Sequence, residues 1–271
     1  MFAVDPLTLI LYSTALAGGL LVGAVSPSLA YSRSIMLGIT LMHSVLAGAL
    51  AGVYLSTVTG LPIPPEIMAI LLAAVASILT AEAVNRGVPE DSSIAVSVTL
   101  SVTLTLILTF YVAFATPLGL AKAMSYVFGT SSLATVEDLF RIGLALIIVV
   151  PLTHLFWSEY KYISFDPEGA ESLGLSVRFY RYLYYILAAV TVTTLAMSLG
   201  VLLTHIIVTV PGLYALRKRY IYPFRLTYIL GILMMIGGYG IARYFVLPPS
   251  VGVGIVSSII IGYILVSSYE R

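Results

Sequence analysis

Residues 35–55 read IMLGITLMHSVLAGALAGVYL, about twenty positions with no charged side chain and a single histidine, His43. About 20 apolar residues are what an α-helix needs to cross the hydrocarbon core of a bilayer. Within that core only helices and closed barrels satisfy their own backbone polar groups. The alternation of apolar and polar residues that a barrel strand requires is absent. The stretch therefore reads as a transmembrane helix, and the rest of the chain repeats the pattern. Of 271 residues, 60% are hydrophobic and only 9% are charged, where a soluble domain carries roughly a quarter. Mean hydropathy is +1.07. The expected fold class is all-α: a polytopic membrane bundle.

Apolar segments fall at about 7–30, 35–58, 66–85, 94–115, 139–157, 179–199, 200–216, 226–246 and 251–268. Little more than Ser198 and Gly200 separates 179–199 from 200–216, and Pro211 is placed to break the latter into a half-helix. Eight full spans or nine are expected, in one transmembrane domain over residues 1–271. Nine spans put the termini on opposite sides. With the N-terminus outside, ten cations fall on the inner side: Arg33, Arg86, Lys161, Arg178, Arg181, Arg217, Lys218, Arg219, Arg225 and Arg271. Only Lys122, Arg141 and Arg243 fall outside. That bias is the one that orients helical membrane proteins. The expectation is a multi-pass protein of the cell membrane, N-terminus out and C-terminus in. The first segment lacks a basic leader and a clear cleavage site, so it reads as retained.

A net charge of +1 with no run of like charge gives nothing to follow a phosphate backbone, so no nucleic-acid partner is expected. The absence of cysteine removes disulfides and thiolate ligands. A metal would meet only imidazole, carboxylate, hydroxyl or backbone oxygen. There is no Gly-x4-Gly-Lys-Ser/Thr, His-Glu-x-x-His or Gly-x-Ser-x-Gly. The chain is not expected to be an enzyme or to hold a permanent cofactor; any ATP would be hydrolysed on another polypeptide.

Two connections are long enough to carry something. Residues 116–138, on the outer side, read as an interfacial segment covering the external mouth. Residues 158–178, on the inner side, contain FDPEGAESLG, with the grammar of a short helix. Asp166 can cap it, Pro167 fits its first position and Glu168 favours the positive end of its dipole. Gly174 supplies a left-handed end after Leu173. A helix of about seven residues does not persist alone, so it must dock on something, either its own bundle or a partner.

FDPEGAESLGL resembles the cytoplasmic coupling helix of ATP-binding-cassette importer permeases, with the Ala-x-x-Leu-Gly core at Ala170, Leu173 and Gly174. The resemblance extends to the metal-uptake permeases that serve zinc, manganese and iron. SIMLGITLMHSVLAG (34–48) is similar to their second-helix motif, roughly Gly-Asp-Ala-Leu-Ser-His-x-x-Leu-Pro/Ala-Gly. PEDSSIAVSVTLSVTL (89–104) resembles the Glu-Asp-x-x-Ile start of a following span, and YVFGTSSLATVEDL (126–139) the external segment. SLGVLLTHIIVTVPGLYA (198–215) resembles the Gly-x-Leu-Leu-x-x-x-Leu-Leu-x-x-Pro stretch.

The resemblance implies a permease that homodimerises around a central path. Each protomer would dock one cytoplasmic ATPase, two per complex, through Asp166, Pro167, Glu168, Ala170, Leu173 and Gly174. An extracellular solute-binding protein would deliver a divalent metal ion as transported substrate. Two residues depart from the family pattern. Ile39 stands where the family has an Asp one turn before His43, and His205 stands where it usually has a small residue. His43 and His205 are the candidates for transient metal contact on the path, a set that suits zinc better than manganese. Two alternatives stay open: a relative carrying a non-metal or chelated substrate, which Ile39 favours, and an ion-coupled secondary transporter. The latter would show inverted repeats and midplane carboxylates, and neither is evident.

Other polar residues read structurally. His154 near Trp157 belongs to an aromatic belt, and Glu82 can pair with Arg86 at i+4. The serines and threonines of 97–109 supply interhelical hydrogen bonds, and Gly48, Gly52, Gly237, Gly238 and Gly240 mark close helix approach.

Overall fold

The structure is a computed structural model and describes residues 5–32, 34–115, 119–128, 134–217 and 222–269. Arg33, Lys218, Arg219 and Arg271, on which the cation bias partly rests, lie outside the described residues, as do the side chains of Ile39, Lys122 and His205.

The described residues form α-helices and no strand. They are α1 (Pro6–Tyr31), α2 (Leu37–Thr59), α3 (Pro65–Asn85), α4 (Glu90–Ala115), α5 (Gly119–Phe128), α6 (Val136–Leu155), α7 (Trp157–Phe165), α8 (Pro167–Ser172), α9 (Val177–Leu199), α10 (Val201–Arg217), α11 (Phe224–Phe245) and α12 (Pro249–Tyr269). A 3₁₀ turn, Ser34–Met36, leads into α2. Six helices, α1, α2, α3, α4, α9 and α11, are long and apolar enough to cross a membrane. The pair α6 and α7, bent by 61°, makes a seventh if it counts as one span, and α10 and α12 contribute shorter apolar helices.

At the centre α1 packs on α11, α10 and α6, while α2 packs on α3 and α4, and α3 on α9. Of the long helices α9 is the most buried. The outer helix α4 turns Val96, Leu100, Leu106, Phe110 and Phe114 outward, an apolar face fit for lipid.

Small residues set the closest crossings. A Cβ on Gly48 or Gly52 of α2 would run into the backbone of Met68, Ala69 or Pro65 on α3, and one on Gly238 into Val253 on α12. Gly237 and Gly240 do not share this role. The nearest atoms to a Cβ there belong to the side chains of Val256 at 3.5 Å and Tyr12 at 3.8 Å.

Between α9 and α10 the chain reverses on one residue, Gly200, at φ 85 and ψ 154, a conformation that side chains oppose. The expected break at Pro211 does not occur: α10 runs through it to Arg217. Proline is tolerated in membrane helices where a neighbour satisfies the freed backbone groups. Here the Gly212 N–H donates to Ser26 Oγ on α1 at 2.5 Å. Ser26 itself precedes Pro27 inside α1, so two proline-bearing helices cross at one point.

Candidate substrate path and coupling segment

His43 occupies the second turn of α2. From Leu37 to Leu50 every described residue is buried except His43, which is half-exposed. The backbone around it is pinned from α4: Thr105 Oγ1 donates to the His43 carbonyl at 3.1 Å, and Ser44 Oγ meets Ser101 Oγ at 2.8 Å. One layer out, Thr80 of α3 meets Ser97 of α4 at 2.6 Å. These contacts come from the hydroxyl face read in 97–109. They hold α2 in place, while the imidazole has no hydrogen-bond partner among the described residues.

On the other side of α2, Gly38 faces Thr209 of α10, where an added Cβ would lie 4.0 Å from the threonine methyl. The C-terminal half of α10 meets the last turns of α1, at Ser26, and the first turn of α2, so α10 runs antiparallel to α2. His43 lies five residues beyond Gly38 on α2, and His205 four residues before Thr209 on α10. No group of three or more His, Asp or Glu that could enclose a metal ion occurs among the described residues.

At the α8 end the chain bends where α6 gives way to α7 at Phe156, one turn after Pro151 and where polar residues begin. Trp157, Tyr160 and Ile163 of α7 are buried. Tyr160 stacks on Tyr184 with ring centroids 3.4 Å apart, and its hydroxyl donates to the Ser28 carbonyl at 3.0 Å. His154, just before the bend, lies against Phe224 at 4.1 Å and near Tyr228, among aromatic rings.

The short helix α8 carries the predicted caps. The Asp166 carboxylate accepts from the Gly169 N–H at 2.9 Å, Pro167 opens the helix, and Gly174 has φ +83. Its two faces differ. Ala170 is fully buried against Ile163 and Val177 of its own bundle, so it is not an outward contact. Leu173 is 71% exposed and Phe165, just before the helix, 90% exposed, two large apolar side chains projecting outward. Asp166, Pro167, Glu168 and Gly174 are also exposed.

Sequence reasoning found the Glu82–Arg86 pair, 2.7 Å apart, but not its surroundings. Arg178 of α9 reaches the same carboxylate at 2.6 Å, and Tyr182 donates to it as well. Arg181 bonds Asn85, and Tyr185 bonds Glu90. The four α9 residues are spaced i, i+3, i+4 and i+7, a polar stripe legible in VRFYRYLYYILAAV. At the opposite end of the bundle Asp138, 5% exposed, closes a capping box with Thr135. It also accepts from Arg141 at 2.7 Å and from Ser198 of α9 at 2.8 Å.

A bundle of this kind is a polytopic membrane protein, with a half-open histidine, His43, on α2 and a capped surface helix at one end. The sequence profile of the ABC 3 transport family matches residues 8–269, and the chain belongs to that family. A probable metal transport system membrane protein of Thermotoga maritima is 26% identical over 206 residues, 74% of this chain and 69% of the relative. The high-affinity zinc uptake system membrane protein ZnuB of Haemophilus influenzae is 29% identical over 94 residues, 35% of this chain and 36% of its own length. Among solved structures, PsaBC from Streptococcus pneumoniae in complex with Fab superposes with a TM-score of 0.73 at 22% identity, covering 97% of this chain and 91% of that one.

Proposed function

We propose that the chain is the membrane-spanning permease of an ATP-driven importer of divalent transition-metal ions. Family membership and the relatives named for metal and zinc uptake support this reading. In it the chain is one domain of eight or nine spans, N-terminus out, and α7 and α8 face the cytoplasm. Two copies enclose the path, and each docks one ATPase through the segment 166–174, with Phe165 and Leu173 as apolar anchors. ATP stays on that partner, the metal is cargo, and an extracellular binding protein delivers it.

His43 carries the proposal. An ionisable group within a membrane bundle faces the interior or a water-filled path rather than lipid, and His43 is the one half-open position in a buried stretch of α2. Neutral imidazole suits zinc and its neighbours, with manganese or iron as the other candidates. Contacts that must also release cargo are few and weak, so two histidines suit transport better than an enclosed site. Ile39, in the place of a family carboxylate, favours a second reading in which the cargo is chelated.

The test is uptake of radiolabelled zinc and manganese by proteoliposomes containing the permease, its ATPase and its binding protein. His43→Ala should lower zinc uptake at least about tenfold, the weight of one lost ligand interaction near 1.4 kcal/mol, with ATPase docking intact. Ile39→Asp should broaden selectivity toward manganese. In wild type, uptake should fall on acidification, as the ring protonates and stops ligating. Undiminished zinc uptake by the His43→Ala, His205→Ala double variant would return His43 to a packing role.

A further inference from the structure

The polar stripe at the start of α9 converges on one carboxylate. Glu90 opens α4, and its Oε1 accepts from two hydroxyls on different elements: Tyr185 of α9 and Ser34 in the 3₁₀ turn that leads into α2. Tyr185 is only 3% exposed, and Ser34 is fully buried. Glu90 therefore joins the helix that continues from the α8 segment to the helix that carries His43, which lies nine residues beyond Ser34.

A cavity of about 150 Å³ lies beside this junction. Ser32, Tyr160, Ser164 and Arg181 line it together with Glu90 and Tyr185, and it reaches Pro167, the first residue of α8. Its volume holds several waters, at roughly 30 Å³ each. The Ser164 hydroxyl, buried there, makes no hydrogen bond of good geometry among the described residues. A buried polar group in a polar cavity of that size is the setting for bound water. The cavity separates α7 and Pro167 of α8 from Glu90 on α4 and Ser32 at the end of α1, and the Tyr185–Glu90 bond lies at its wall. A hydrogen bond fixes distance and direction between donor and acceptor. It can transmit a displacement of α9 to Ser34 that apolar contact would let slip.

We propose that Glu90 is a positioning residue for transport: as a shared acceptor for Tyr185 and Ser34, it couples movement of the α8 segment to the base of α2 and so to His43. This rests on the permease reading, with α8 as the ATPase contact. The role asks for an acceptor and not for a charge, which separates it from a second cation site.

The experiment measures zinc transported per ATP hydrolysed by the reconstituted complex with its binding protein, alongside ATPase co-purification and melting temperature. Glu90→Ala removes both hydrogen bonds and should lower the ratio about tenfold, with the ATPase still bound. Glu90→Gln keeps an acceptor oxygen and should stay within about twofold of wild type. Tyr185→Phe removes only a donor and should fall between them. If Glu90→Gln behaves like Glu90→Ala, the charge matters and the proposal is wrong; if Glu90→Ala stays coupled, it is wrong as well. A wild-type complex whose ATPase ignores the zinc-loaded binding protein would instead overturn the permease reading, before Glu90 is at issue.

Discussion

Two ionisable residues of the bundle show how differently buried charge is handled. His43 offers a ring with no partner among the described residues, whereas every contact of Asp138 is intramolecular. Asp138 joins the first turn of α6 to Arg141 and to the last turn of α9 at Ser198. Removing one member of such a set leaves its partners unsatisfied, and that outweighs the loss of the bond itself. The side chain of Arg141 is 28% exposed, so water recovers part of the cost. Asp138→Ala is expected to destabilise the bundle by about 2 kcal/mol, read as a melting point several degrees lower in detergent. Asp138→Asn should cost less, because it keeps an oxygen for the cap. His43 was legible because a histidine in an uncharged run needs a reason. The Asp138 cluster was not, because Ser198 lies 60 residues away and nothing local in either sequence announces the pairing.

At the level of elements, local chemistry decided what could be read. The caps of α8 follow from single residues, Asp166, Pro167 and Gly174, and the structure places them as read. Helix α7 lies mostly within the 158–178 connection, and its sequence does not announce it. Its WSEYKYISF is short and mixed, and its inward residues Trp157, Tyr160 and Ile163 repeat too few times to establish a period. Pro211 misled in the other direction, since the Ser26 hydroxyl that accepts from Gly212 belongs to a helix 186 positions earlier. For α8, Leu173→Asp should leave the fold intact, because that side chain is already in solvent, and should abolish ATPase co-purification. Gly174→Pro should do so by distortion, since proline cannot take φ +83 and would lose the N–H bonded to the Glu171 carbonyl at 2.9 Å. Retention of the ATPase by Leu173→Asp would remove this segment as the docking site.

For the whole molecule, hydrophobicity was sufficient to read a helical membrane bundle, because crossing a bilayer leaves so few backbone solutions. It was insufficient for counting spans. By length and apolar content alone, six helices qualify, or seven with the bent pair, while α10 and α12 are shorter. Their place depends on neighbours such as α1 and α11, which composition does not reveal. If two copies enclose the path, the detergent-solubilised active complex should have the mass of two permeases and two ATPases. An active particle of one of each would exclude the dimeric arrangement.

The single-residue reversal at Gly200 has a mechanical consequence. Helix α9 has 23 residues, a rod about 34 Å long at 1.5 Å per residue. One end is bolted to the α3–α4 hairpin through Arg178, Arg181, Tyr182 and Tyr185. The other runs into α10 with no slack between them. A loop of several residues would act as backlash in a gear train and absorb the first few ångströms of any stroke. With Gly200 as the only link, an axial shift of α9 has no loop to take it up, so its far end and the start of α10, the helix bearing His205, must move together.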